Sequence, residues 1–203
     1  MRTVPSLCLL LGGLLAGCGH VPVTSLPKLS QIDIRTTQLT ALRAGISLPA
    51  EIRPLPGSIT MTMVALPREG GRHERKVVLE EVRDTKELAQ LPSVAAPGRR
   101  LTVYRLSAAD AARIGSFREE MFVGPHNSGN RGSIALTAEK ACRLGELSGK
   151  PIPMTSYLKT SETQDYVLLT RDVDLAGAVR AAAPTVDLAT AIPPCDALPE
   201  QPS

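Results

Sequence analysis

The stretch Ser58-Ile59-Thr60-Met61-Thr62-Met63 alternates strictly between polar and apolar side chains, and this period of two decides how the chain is read. A strand sends successive side chains to opposite faces, so Ile59, Met61 and Met63 are expected on a buried face and Ser58, Thr60 and Thr62 on the other. Upstream, Leu42, Ala44, Ile46 and Leu48 alternate with Arg43, Gly45 and Ser47 and predict another strand. Pro49, Pro54, Pro56 and Gly57 break the chain between the two. Downstream, Pro67-Arg68-Glu69-Gly70-Gly71 predicts a turn into a third strand over 76–82. The three are expected to form an antiparallel meander.

Further out, residues 85–100 carry Pro92 and Pro97 and read as a linker, with one helical turn over 86–90. Residues 101–106 are β-rich. Ser107-Ala108-Ala109-Asp110 has the spacing of a capping box, which predicts a helix running to about Phe122. Ile114, Phe117 and Met121 fall on one face of it, as expected of a helix lying on a sheet. Past the loop 124–132, Ile134, Leu136 and Ala138 alternate with Ser133, Ala135 and Thr137, a strand reaching Cys142. Residues 154–160 and 165–171 predict a hairpin across Ser161-Glu162-Thr163-Gln164, and 175–183 a short helix stopped by Pro184. The sum is an α+β fold, predominantly antiparallel β-sheet of about seven strands with one main helix packed on it. A β-sandwich with an inserted helix is the alternative.

At the other end of the chain, Leu15-Ala16-Gly17-Cys18 closes a leucine-rich stretch beginning at Leu7 and resembles the lipobox of bacterial lipoproteins. The resemblance is confined to this signal segment. In that class a peptidase cuts before the cysteine, whose thiol receives a diacylglyceryl group and whose new amine is acylated, which would make Cys18 the lipidation site. Arg2 and the apolar run 7–15 have the layout of a signal peptide. A spanning helix needs ~20 apolar residues, whereas Gly12, Gly13 and Gly17 interrupt a shorter run. An ordinary signal peptide with an incidental cysteine is the competing reading, and Leu15 with Ala16-Gly17 argues against it. Gly19, in place of an aspartate, implies sorting to the outer membrane, periplasmic side, over the inner membrane. The expected organisation is a signal peptide over 1–17, a lipidated cysteine and flexible tether over 18–38, a globular domain over 39–183 and a proline-rich tail over 184–203.

Arg2 is the one charged residue in the signal segment, so removing that segment lowers the net charge of the chain from +3 to +2. A nucleic-acid partner would call for a basic stripe or a large net charge, and none is expected. Three tyrosines, two phenylalanines and no tryptophan argue against a glycan or single-strand binder, since both recognise rings by stacking. With Cys8 cleaved away and Cys18 lipidated, Cys142 and Cys195 are left. In an oxidising compartment a disulfide is the simplest outcome, buried free thiols or a redox pair being the alternatives.

The loop over 124–132 is the best candidate for a ligand site, because its glycines free the backbone while His126, Asn127, Asn130 and Arg131 offer donors to an anion or carbonyl. A connecting loop is the plainer reading, since the loop follows a helix, whereas a phosphate site needs a helix N-terminus. Asp172 and Asp174, two apart, are candidates for cation binding or acid–base work, or else solvent-facing charges and a cap for the helix after them. Arg68, Arg72, Arg75 and Lys76 could touch anionic headgroups or simply form a solvated hairpin tip. No metal site or cofactor is expected, because His20, His73 and His126 have no ligand spacing. The function expected is a non-catalytic accessory or binding module, held on a membrane by its lipid and presenting its domain to an envelope protein. An envelope hydrolase working through the His126 loop and a carrier of acyl chains or lipoproteins are the alternatives.

Overall fold

The structure, a computed structural model, describes residues 21–88, 97–124, 127, 129–147 and 149–198. Cys18, the expected signal peptide and His126 lie outside the described residues. The seven runs with strand patterning are β1 (Arg43–Pro49), β3 (Ile59–Leu66), β4 (His73–Val78), β6 (Arg99–Arg105), β7 (Arg131–Ala138), β9 (Pro153–Lys159) and β10 (Val167–Asp174). Three shorter strands join them, β2 (Ile52–Pro54), β5 (Glu80–Glu81) and β8 (Ala141–Arg143). The helices are α1 (Leu26–Leu29), α2 (Thr85–Leu88), α3 (Ala108–Phe122), α4 (Leu175–Ala182) and α5 (Leu188–Ala191). The fold is α+β, with antiparallel sheets of order β10-β9-β1-β6-β5, β2-β8 and β4-β3-β7, and α3 as its main helix.

One arrangement organises these sheets. β1, β2 and β3 run beside β9, β8 and β7 in turn, so residues 43–66 and 131–159 form an antiparallel ribbon interrupted twice. Pro49, Pro54 and Pro56 have no N–H to give a ladder, which is why the ribbon breaks there. Backbone hydrogen bonds carry it across the gaps: Leu144 N donates to Glu51 O at 2.8 Å, Leu55 N to Lys140 O at 3.1 Å and Glu139 N to Ser58 O at 2.9 Å.

The expected meander is therefore corrected. β3 and β4 form a hairpin, but β1 pairs with β6 and β9, in the five-stranded sheet. Its polar-looking face is buried as well: Gly45 and Ser47 are covered, and a Cβ on Gly45 would stand 3.2 Å from Tyr157 Cβ. A strand buried on both faces belongs in the middle of a sheet. The strand expected over 76–82 also divides. Buried Leu79 donates from its N–H to Ile59 O at 2.8 Å, after which β5 leaves for the other sheet. The strand expected to reach Cys142 stops at Ala138 and resumes as β8.

Residues 21–38 and 184–198 are packed, against the expectation of a free tether and a loose extended tail. From Val21 to Gln38 the chain carries a 3-10 turn (Val23–Ser25) and α1, buries Ser25 and Thr37, and lays Ile32 and Ile34 on the core. Toward the C-terminus Leu188, Ala191 and Ile192 join the core. The sequence of each end is too short and irregular to show this. A few isolated apolar side chains suffice once a core is there to receive them.

α3 follows the capping prediction. Ser107 accepts from Asp110 N at 3.0 Å and donates from its hydroxyl to Asp110 Oδ2 at 2.8 Å. Ile114, Phe117 and Phe122 are buried and Met121 partly so, the helix packing on β3, β4 and the 3-10 turn Leu39–Ala41. Met61 and Met63 meet them from β3.

Candidate functional site

In the loop after α3, Asn127 and Asn130 serve the fold. Asn127 Nδ2 donates to Glu120 O at 2.8 Å and Val123 O at 3.0 Å, closing the end of the helix. Asn130, buried, donates from Nδ2 to Met121 O at 2.8 Å and accepts from Arg68 N at 3.3 Å. Arg131 begins β7 opposite Leu66. A side-chain amide spent on helix carbonyls is not offered to a ligand. Arg68 Nε, from the cationic hairpin, donates to Gly129 O at 3.3 Å. Of the others, Arg72 pairs with Glu74, Lys76 with Glu139, and Arg75 lies over the Phe117 ring at 5.8 Å.

The two aspartates do not converge. Asp172, at a positive φ of 49°, accepts from Arg99 Nη1 at 2.9 Å and Thr155 Oγ1 at 3.0 Å. The same Arg99 donates to Ser47 O and Pro153 O, tying β6, β1 and β9 together. Asp174 caps α4 from Ala176 N at 3.0 Å and accepts from Ile152 N at 2.9 Å. The irregular register of β10 between Thr170 and Val173 separates them. Cys142 and Cys195 stand at disulfide distance with Cα atoms 4.9 Å apart, and Arg143 N donates to Pro193 O at 2.9 Å beside them.

Two clefts remain. One, of about 420 Å³, is lined by Ala41, Arg43, Asp84, Lys86, Glu87 and Lys159, three cations against two acids, with Arg43 paired to Glu87. The other, of about 440 Å³, lies where β4 crosses to β5. Pro54, Leu55 and Pro56 form one wall, Val78, Glu80 and Glu81 another, and Tyr104 lines it too. Burial pushes the Tyr104 hydroxyl up to about 12, with Glu81 adding to the rise against a hydrogen bond from Thr102. It is therefore a neutral phenol at any physiological pH. An apolar wall with a few polar groups is the usual make-up of a recognition site, and the Tyr104 cleft has it. The cleft was not foreseen, although Val77-Val78-Leu79 carries a signal. Three apolar residues in a row break the period of two, and Val78, 45 % exposed, is the one left outside.

Among the described residues, no group of three His, Cys, Asp or Glu could hold a metal ion, and no helix is long and apolar enough to cross a membrane. No protein-family model, curated protein or solved structure matches the chain.

Proposed function

We propose that this chain is a lipid-anchored protein of the bacterial cell envelope, facing the periplasm from the outer membrane, whose domain binds a protein partner at the Tyr104 cleft and does no chemistry itself. The anchor is supported by Leu15-Ala16-Gly17-Cys18 and by Gly19 after it. The observation that carries the binding reading is the cleft itself, with exposed Val78 facing a proline wall beside Glu80 and Glu81. Arg83 lines the cleft as well and Glu80 stands 3.8 Å from Arg105, so Glu81 is the acid assigned to a basic side chain of an extended partner segment, the apolar contact supplying affinity and the acid selection.

The test has two arms. A photo-crosslinking side chain at Val78 of the lipidated protein should give one defined adduct in intact envelopes, and Glu81→Lys should remove it; no adduct, or one indifferent to Glu81→Lys, overturns the cleft. Mass analysis of the N-terminal peptide should find a diacylglyceryl group on Cys18, and Cys18→Ser should leave uncleaved precursor. Recovery of normally processed, membrane-bound Cys18→Ser protein overturns the anchor.

A further inference from the structure

Six large apolar side chains stand exposed among the described residues: Val23, Leu26, Val78, Val123, Leu144 and Val186. Val23, 76 % exposed, and Leu26, 51 % exposed, are the one pair within four residues of each other. They lie on the 3-10 turn and α1, spaced by three, so they point to one side, while Ser25 between them is buried against the domain. These turns are fixed. They pack against β10, Lys28 Nζ lies 3.7 Å from Asp165 Oδ2, and the segment that follows buries Thr37.

We infer that the domain rests on the bilayer through these first turns, with Val23 and Leu26 inserted at the lipid interface. The inference rests on the reading of Cys18 as the lipidated residue. Four residues lie between Cys18 and Val23, and the five residue steps of a fully extended chain span at most about 18 Å. The acyl chains and the exposed pair are thus held within the depth of one leaflet and its headgroups. A bilayer, not a second copy of the chain, is the occupant, since two side chains fall far short of the ~1,200 Å² that a stable protein interface buries. Lipid needs no complementary shape, and each small apolar group that enters adds to the acyl anchor.

An orientation follows. The anchored turns lie against β10, at one edge of the five-stranded sheet, and β5 with the Tyr104 cleft forms the other edge. Four inter-strand spacings put these edges roughly 19 Å apart. The Tyr104 cleft thus lies at the sheet edge away from the anchored turns.

The chain contains no tryptophan, so a single introduced one reports its own surroundings without background. Lipidated protein carrying Leu26→Trp, Val23→Trp or, for comparison, Val78→Trp would be reconstituted in phosphatidylethanolamine–phosphatidylglycerol vesicles with brominated acyl chains. The expected result is a blue-shifted emission at 23 and 26, quenched several-fold more strongly than at 78. Vesicle-bound protein in which all three positions are equally unquenched overturns the inference and leaves the anchor standing. Protein whose N-terminal mass shows no diacylglyceryl group overturns the anchor and the inference with it. Because both 23 and 26 are exposed, one unfolded variant would leave the other to decide.

Discussion

At the scale of single residues, much of the chemistry that looks available is spent on holding the chain together. Asp174 is the clearest case. Burial raises its carboxyl, but hydrogen bonds from the backbone of Ile152, Gly177 and Ala176, with Arg180 nearby, outweigh this and hold it below its ordinary range. Glu139 is lowered chiefly by Lys76. Glu162 is raised by burial, yet ends lower because Thr160, Thr37 and Ser161 hydrogen-bond to it. When the folded value lies below the unfolded one, the unfolded chain binds more protons in between. Stability is then full above the ordinary carboxylate range of about 4 and is lost as pH falls through the folded values. Urea midpoints measured from about pH 5 downward should therefore fall, and Asp174→Asn should flatten part of that fall. At neutral pH, Asp174→Ala should cost about 1–2 kcal/mol, the range for a lost helix cap, read from the same denaturation curves. An unchanged midpoint would mean that the Ile152 and Ala176 amides find water instead.

At the scale of elements, patterning was a good guide wherever one side of an element meets water. α3 is legible because Ser107 and Asp110 mark its start and its apolar residues recur with the helical period. Ile114 is fully buried beneath it, so Ile114→Ala should cost about 2–5 kcal/mol, the penalty of lost transfer energy plus a cavity. Arg113, exposed on the other side, should change stability by no more than about 0.5 kcal/mol when replaced by alanine. Thermal or urea unfolding of the two variants checks the contrast, and equal losses would mean that α3 is not docked as described. Patterning failed for β1. After Arg43 its polar-side residues are Gly45 and Ser47, small enough to be buried beneath Tyr157 and Arg99, so alternation in polarity did not mean alternation in exposure.

At the scale of the whole molecule, residues 21–38 and 184–198 are part of the fold. The Cys142–Cys195 pair closes a separation of 53 residues and stands beside the bridge between Arg143 and Pro194. Chain-entropy arguments give about 4 kcal/mol for a loop of that size, less any native strain. Reduction should therefore lower the urea midpoint measurably. It should also expose the segment after Pro184 to protease before the sheets, since α5 and Ile192 hold it with few apolar contacts. Alkylation of the oxidised protein should modify neither cysteine; two freely modified thiols would refute the bridge.

The sequence by itself pointed to six of the seven long strands, α3 with its cap, the β9–β10 hairpin and a Cys142–Cys195 pair, the pair because Cys8 and Cys18 are expected to be spent on the signal and the lipid and the rest because each is written in local periodicity or a local hydrogen bond. Only the tertiary structure decided which distant strands lie side by side, that residues 21–38 are packed instead of free, and that Asn127, Asn130, Asp172 and Asp174 serve the fold. It also made the Tyr104 cleft, from residues near 55, 80 and 104 that no local pattern links. The physical reason is the same in each case. Period and capping act within a few residues of chain, whereas sheet partners and clefts are set by which distant surfaces can be buried together.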